Sequence, residues 1–141
     1  MSDYIVIGLN GEPYALPLAD IQEIIKRQPV TEVPCDKPYV KGIMNLRGRI
    51  VPVIGLGDRI GMPEAEASPA SRIVVVSAED GDIGVCVDVV EQVASLEEVL
   101  PPTTEQTGGV SRGYLSGIGK LNGRLIGVLD LKAVLGQKEV R

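Results

Sequence analysis

Tyr39-Val40-Lys41-Gly42-Ile43-Met44-Asn45-Leu46-Arg47-Gly48-Arg49-Ile50-Val51-Pro52-Val53-Ile54-Gly55-Leu56 is written again in the second half of the chain, as Tyr114-Leu115-Ser116-Gly117-Ile118-Gly119-Lys120-Leu121-Asn122-Gly123-Arg124-Leu125-Ile126-Gly127-Val128-Leu129-Asp130-Leu131. At this offset of 75, eight of the eighteen positions are identical without a gap, and four more exchange one aliphatic residue for another. Each copy reads as a β-hairpin. Asn122-Gly123 is a natural turn pair because both residues tolerate positive φ. Arg47-Gly48 stands in its place in the first copy, where a type II turn would spare Arg47 the left-handed region. Upstream, Tyr14–Ile24 matches Ile83–Val93 at an offset of 69, with Leu16/Val85, Leu18/Val87, Ile21/Val90 and Ile24/Val93 in step.

The chain is therefore one plan used twice: hairpin, short helical turn, Pro-marked crossing, second hairpin. A unit of about 65 residues is marginal alone, so the two are expected to share a core. Many short strands leave edges that are safest when each unit curls into a small closed barrel. The divisions expected are 1–62 and 70–136, with exchange of a terminal strand between them allowed. Asn10-Gly11 marks the first hairpin turn. Apolar residues at 18, 21, 24 and 25 suit a short helix, with a strand from Glu23 as the alternative. Gly57 to Ser71 reads as a linker or long loop. Ser95-Leu96-Glu97-Glu98 has a capping-box pattern that predicts a helix stopped by Pro101-Pro102. Asp130 is expected to cap a last short helix that ends at Gly136.

Composition narrows the function. Val, Ile and Leu dominate, Phe and Trp are absent, and Gly (17) and Pro (10) punctuate short runs, which indicates an all-β protein. Nineteen acidic against fourteen basic residues give a net charge of -5, the wrong sign for nucleic acid. The N-terminus lacks the pattern of a signal peptide and no apolar run is long enough to span a bilayer, so a cytoplasmic chain without membrane insertion is expected. Cys35 and Cys86 form no CxxC pair and read as small buried hydrophobes. No histidine is present, which removes the commonest general base and metal ligand, and no Ser or Cys has a His partner to activate it. No metal, cofactor or catalytic residue is expected, and the protein reads as a non-enzyme.

The segment Tyr39–Ile54 resembles the signature of the CheW family of coupling proteins: an aromatic, Lys-Gly, two spacer residues, Asn-Leu-Arg-Gly, and an aliphatic strand broken by Pro. Ile21-Gln22-Glu23-Ile24 and Tyr114-Leu115-Ser116-Gly117-Ile118-Gly119 are similar to two further blocks of that family, so the resemblance covers nearly the whole chain. It implies two SH3-like five-stranded β-barrels packed around a shared hydrophobic core, with short helices. It also implies an adaptor that couples the cytoplasmic tip of a chemoreceptor to the regulatory domain of a CheA-type histidine kinase. The alternative is a CheW-like module of another chemosensory array, such as one controlling pili. Arg47 matches the family's receptor-contacting arginine, with Ile21 and Glu23 beside it. Ile21 and Ile24 can floor a groove for a helix end, and Arg47 offers a fork to a carboxylate. Val51 and Ile54 are candidates for the kinase contact. One departure stands out: the family has Asp-Leu after its Pro-containing strand, and this chain has Gly55-Leu56.

Overall fold

Strand β1 (Asp3–Leu9) has no polar alternation, because both of its faces are buried. Ile5, Ile7 and Leu9 point into one apolar cluster and Val6 into another. The same holds for β6 (Arg72–Ala78), where Val74 and Val76 face one cluster and Ile73 and Val75 the other. These two strands lie within the two sheets of the protein. The structure, a computed structural model, describes residues 3–35, 37–62, 68–78, 81–101 and 112–135.

The remaining strands are β2 (Glu12–Pro17), β3 (Ile21–Lys26), β4 (Val40–Leu46), β5 (Arg49–Gly55), β7 (Gly81–Val87), β8 (Val89–Ser95), β9 (Glu97–Leu100), β10 (Leu115–Leu121) and β11 (Arg124–Leu129). A six-stranded sheet runs β8-β1-β2-β11-β10-β9 and a five-stranded sheet runs β3-β6-β7-β5-β4. The sheets do not divide at 62–70. The β1–β2 hairpin of the first unit lies between β8 and β11 of the second, and the β6–β7 hairpin of the second lies between β3 and β5 of the first. The exchange is thus a whole hairpin in each direction.

The two offsets of the sequence repeat govern the pairing. Val53 pairs in parallel with Gly84; its repeat counterpart Val128 pairs with Ala15, the counterpart of Gly84. Ile21↔Val76, Glu23↔Val75 and Ile24↔Val74 on one sheet correspond to Val90↔Ile7, Gln92↔Val6 and Val93↔Ile5 on the other. Both crossing strands carry a bulge at the same place, at Gln22 and at Glu91. This bulge corrects the helix expected over 18–25. Only Leu18–Asp20 forms a 3-10 turn, and the chain is strand from Ile21. A bulged strand puts residues three apart on one face, so Ile21 and Ile24 have the spacing of a helix without its backbone.

Each sheet bends around its own interior. Ile25 on β3 and Met44 on β4 come from opposite ends of the five-stranded sheet and pack in one cluster with Leu46, Val51, Val53, Ile73 and Val75. Ala94 on β8 and Leu121 on β10 likewise meet around Val6, Ala15, Ile126 and Val128. The expected closed, five-stranded barrels are corrected in two respects: the strand counts are six and five, and neither ladder closes among the described residues. The gap beside β4 is bridged by Thr31, whose N–H donates to Ile43 O at 2.8 Å and whose carbonyl accepts from Ile43 N at 2.9 Å. At the equivalent place in the other sheet Leu100 of β9 pairs with Ile118. That pairing replaces the helix expected after Ser95: the backbone of 97–100 gains ladder partners that a single helical turn lacks. Ser95 itself donates its hydroxyl to Asp3 Oδ1 at 2.8 Å.

Between the sheets lies the shared core, which draws Ile5, Leu16, Ile54, Val74, Val85 and Leu129 from both units. Two short helices, α1 (Leu56–Arg59) and α2 (Leu131–Val134), follow the second hairpin of each unit. Asp130 caps α2 as expected, its Oδ1 accepting from Lys132 N at 3.1 Å and Ala133 N at 3.4 Å; Gly136 lies outside the described residues. Gly55 occupies the matching place before α1, and α1 has no side-chain cap. A Cβ on Gly55 would come within 2.7 Å of Lys41 Cε, whose ammonium reaches Asp58 at 3.0 Å. The missing family Asp is replaced by an ion pair that passes over the bare backbone. Arg59 at the end of α1 then joins the halves. Its guanidinium lies 4.6 Å from the Tyr39 ring centre and 5.0 Å from that of Tyr114, and it donates to Val134 O (2.6 Å), Ala133 O (3.3 Å) and the Tyr114 hydroxyl (2.7 Å). It thereby ties the end of α1 to two carbonyls in the last turn of α2.

Gly42 is the tightest point of the bridged gap. Its φ is +145° and a Cβ there would sit 2.0 Å from Thr31 O, which is backbone and cannot rotate away. Gly48 also has positive φ (+84°) but open space around it. Gly42→Ala should therefore cost at least about 3 kcal/mol of folding stability, whereas Gly48→Ala should cost only about 1–2 kcal/mol, the backbone strain alone. Urea denaturation of both variants measures the difference.

Candidate functional site

The turn at Arg47-Gly48 is not type II. Arg47 has φ +52° and Gly48 +84°, close to Asn10-Gly11 (+52°, +80°) and Asn122-Gly123 (+53°, +82°). All three tips have the left-handed pair of a type I′ turn, whose twist matches the flanking strands. Arg47 therefore carries a strain of about 1 kcal/mol that Asn in the second unit largely avoids. Asn45 holds the turn by accepting Gly48 N on Oδ1 at 3.0 Å.

The structure brings Arg47 and Glu23 together. Arg47 Nη2 donates to Glu23 Oε2, linking the β4–β5 tip to β3, the strand at the other end of the sheet. The arginine side chain is 63% exposed and the glutamate 28%, so the cation is outermost. Glu23 is paired with Val75 and lies on the inner face of the curled sheet. Ile21 and Ile24, paired with Val76 and Val74, lie on the other face, toward the shared core. Ile21 is half-buried against that core and Ile24 is exposed. The expected receptor-binding residues thus occupy one edge of the sheet, with the charges on one side of β3 and the aliphatics on the other.

Val51 and Ile54 belong to the interior, at 1% and 6% exposure. This corrects the expectation that they face a kinase: strand alternation turns Val51 into the curled sheet and Ile54 into the shared core. The side chain that β5 presents outward is Ile50, 62% exposed, next to exposed Pro52. Cys35 is exposed, which corrects its reading as a buried hydrophobe, while Cys86 packs against the interior of the five-stranded sheet. Among the described residues no group of His, Cys, Asp or Glu could hold a metal ion, and no helix is long and apolar enough to cross a membrane.

A family model described as the CheW-like domain matches residues 3–139. The chain is 33% identical to the chemotaxis protein CheW of Bacillus subtilis, over 95% of this chain and 86% of that protein. It superposes on the crystal structure of the scaffolding protein TtCheW from Thermoanaerobacter tengcongensis with a TM-score of 0.83 at 31% identity, covering 92% of this chain and 84% of that one. Similarity to the protein PilI of Pseudomonas aeruginosa is narrower, 29% over 67% of this chain and 56% of that protein.

The Arg47 strain and its ion pair oppose one another in the folded state. An exposed pair contributes about 0–1 kcal/mol and the left-handed arginine costs about the same. Arg47→Asn should leave the thermal midpoint within about 2 °C of the parent, and a calorimetric scan checks it.

Proposed function

This chain belongs to the CheW-like domain family, and on that premise we propose that it is an adaptor joining the cytoplasmic tip of a chemoreceptor to a CheA-type histidine kinase. The family makes it a chemotaxis scaffold and not an enzyme. The observation that supports the receptor assignment is the asymmetry of the two tips. The second unit has Asn122 where the first has Arg47, and Gln92 where the first has Glu23. Only the first unit places a charged pair at this point, and it does so at a residue that is strained by being arginine.

The receptor tip is a helical hairpin end. In this reading its carboxylate takes the outward donors of the Arg47 fork, and its apolar turn rests against Ile24 and the exposed part of Ile21. Glu23 orients the fork from beneath. The kinase regulatory domain meets a different place, the outward Ile50–Pro52 face of β5, because the most exposed large aliphatic of the described residues is Ile50. The protein works in the cytoplasm, held at receptor arrays by these contacts and without inserting into the bilayer.

Two substitutions separate the partners. Arg47→Asn keeps the turn and should weaken binding of a receptor cytoplasmic fragment at least tenfold, about 1.4 kcal/mol or more, with kinase binding unchanged. Ile50→Asp should do the reverse, since an exposed side chain can change without disturbing the core. Titration of each variant against the receptor fragment and the kinase regulatory domain gives the answer. Parent-like receptor affinity in Arg47→Asn would overturn the receptor site, and parent-like kinase affinity in Ile50→Asp would overturn the kinase face.

A further inference from the structure

The mouth of the curled five-stranded sheet carries a second arginine. Arg49 Nη1 donates to Asp82 Oδ2 at 2.9 Å. Arg49 pairs across the strands with Leu46, and Asp82 pairs with Ser77. Leu46 and Val75 both face the inner cluster, so Arg49, Asp82 and Glu23 rim the same opening above it. Arg47 reaches that rim from the hairpin tip. In both pairs the arginine lies outward and the carboxylate inward: 63% against 28% for Arg47 and Glu23, 54% against 17% for Arg49 and Asp82.

The duplicated mouth of the other sheet shows what is particular to this one. At the positions of Glu23, Arg47 and Asp82, the two offsets place Gln92, Asn122 and Pro13. All three positions are neutral there and charged here. Arg124, the equivalent of Arg49, finds a different and longer partner, Glu91 Oε1 at 3.5 Å, supplied by the bulge of the crossing strand. Turn geometry cannot account for the difference, because both tips have the same backbone angles. Nor does the scaffold need it, because the second mouth is built without it.

We propose that Arg49 is a second contact residue of the receptor surface, held in place by Asp82, so that the surface is a two-arginine clamp for a partner segment presenting two carboxylates. This rests on the reading of Arg47 as a receptor contact and adds to it a partner of stated charge. Each guanidinium has five donors, and the inward carboxylate engages one on each. Both pairs lie at the rim of the same opening, and both guanidinium side chains are more than half exposed there. A lone arginine would accept any acidic residue; two held in register select a pair of acids at matching spacing. Asp82 touches no partner in this scheme and is a positioning residue.

The test measures binding of the 141-residue chain to a receptor cytoplasmic fragment by calorimetry at several salt concentrations. Arg49→Gln should weaken binding at least fivefold and flatten the salt dependence, because one charge contact is gone. Asp82→Asn should weaken it less, and should add nothing in the Arg49→Gln background. Kinase binding and the thermal midpoint should hold in each. If Arg49→Gln keeps the parent affinity and salt slope while Arg47→Asn loses tenfold, the clamp is wrong and the single-arginine site stands. If both bind as the parent does, the receptor reading itself fails. Should Arg49→Gln melt early, Arg49→Lys decides: it keeps the charge without the fork, and parent-like affinity there overturns the clamp.

Discussion

Every other feature of this molecule depends on two hairpins having changed places. The β1–β2 hairpin belongs by sequence to the first unit and by pairing to the second, and the β6–β7 hairpin does the opposite. The strands that make the exchange are buried on both faces, one toward the interior of their adopted sheet and one toward the shared core. Removing either hairpin would open a sheet interior and the central core together. The hydrophobic term that holds the protein is therefore common to both units, and a small unit that would be marginal alone has no need to be stable alone.

With the exchange in place, the remaining problem is to close two bent sheets whose ends do not pair. The protein solves it with short local links. Thr31 bridges to Ile43 and β9 pairs with β10, and in each case a glycine lets the backbones approach, Gly42 in one sheet and Gly117 in the other. A Cβ on Gly117 would lie 2.9 Å from Leu100 O. Gln28 adds a hydrogen bond to Asn45 O at 2.9 Å, and the Arg47–Glu23 pair spans the same gap at its outer end. The proposed receptor surface is thus laid over the gap of a bent sheet, where side chains from both of its ends come together.

The symmetry of the scaffold makes its asymmetries informative. Arg59 sits between the related tyrosines Tyr39 and Tyr114, yet its own counterpart is Val134, which is fully buried. Gly55 answers to the capping Asp130 and leaves room for Lys41 to reach Asp58. The first joins the halves, and the second ties α1 to β4 within the first unit. The differences at Glu23, Arg47 and Asp82 lie instead at an open mouth, where the packing of the equivalent second mouth shows that uncharged residues suffice. Differences that repair packing and differences that add surface charge are separated by where they fall in the fold.

Much of this was legible in the chain itself. The two offsets of 75 and 69 are visible without coordinates, and they relate the register of one sheet to that of the other, because pairing in a duplicated fold must repeat with the duplication. The Arg47-for-Asn122 replacement and the family motif point to the proposed receptor edge. Local pattern failed where a distant strand decided the conformation. Ile21 and Ile24 look helical because a bulge shifts the alternation by one, and Ser95-Leu96-Glu97-Glu98 looks like a cap until β10 offers the backbone a ladder. Val51 and Ile54 are as aliphatic as Ile50, and only the curl of the sheet decides which of the three faces outward. The same holds for Asp82: in sequence it is a polar residue beside a turn, and its relation to the distant Arg49 exists only once β6 and β7 have been placed between β3 and β5. Sequence determines periodicity, turns and repeats because these are set by near neighbours along the chain. Which sheet a hairpin joins, and so which side chains share a surface, is decided by burial, a property of the whole assembly of strands.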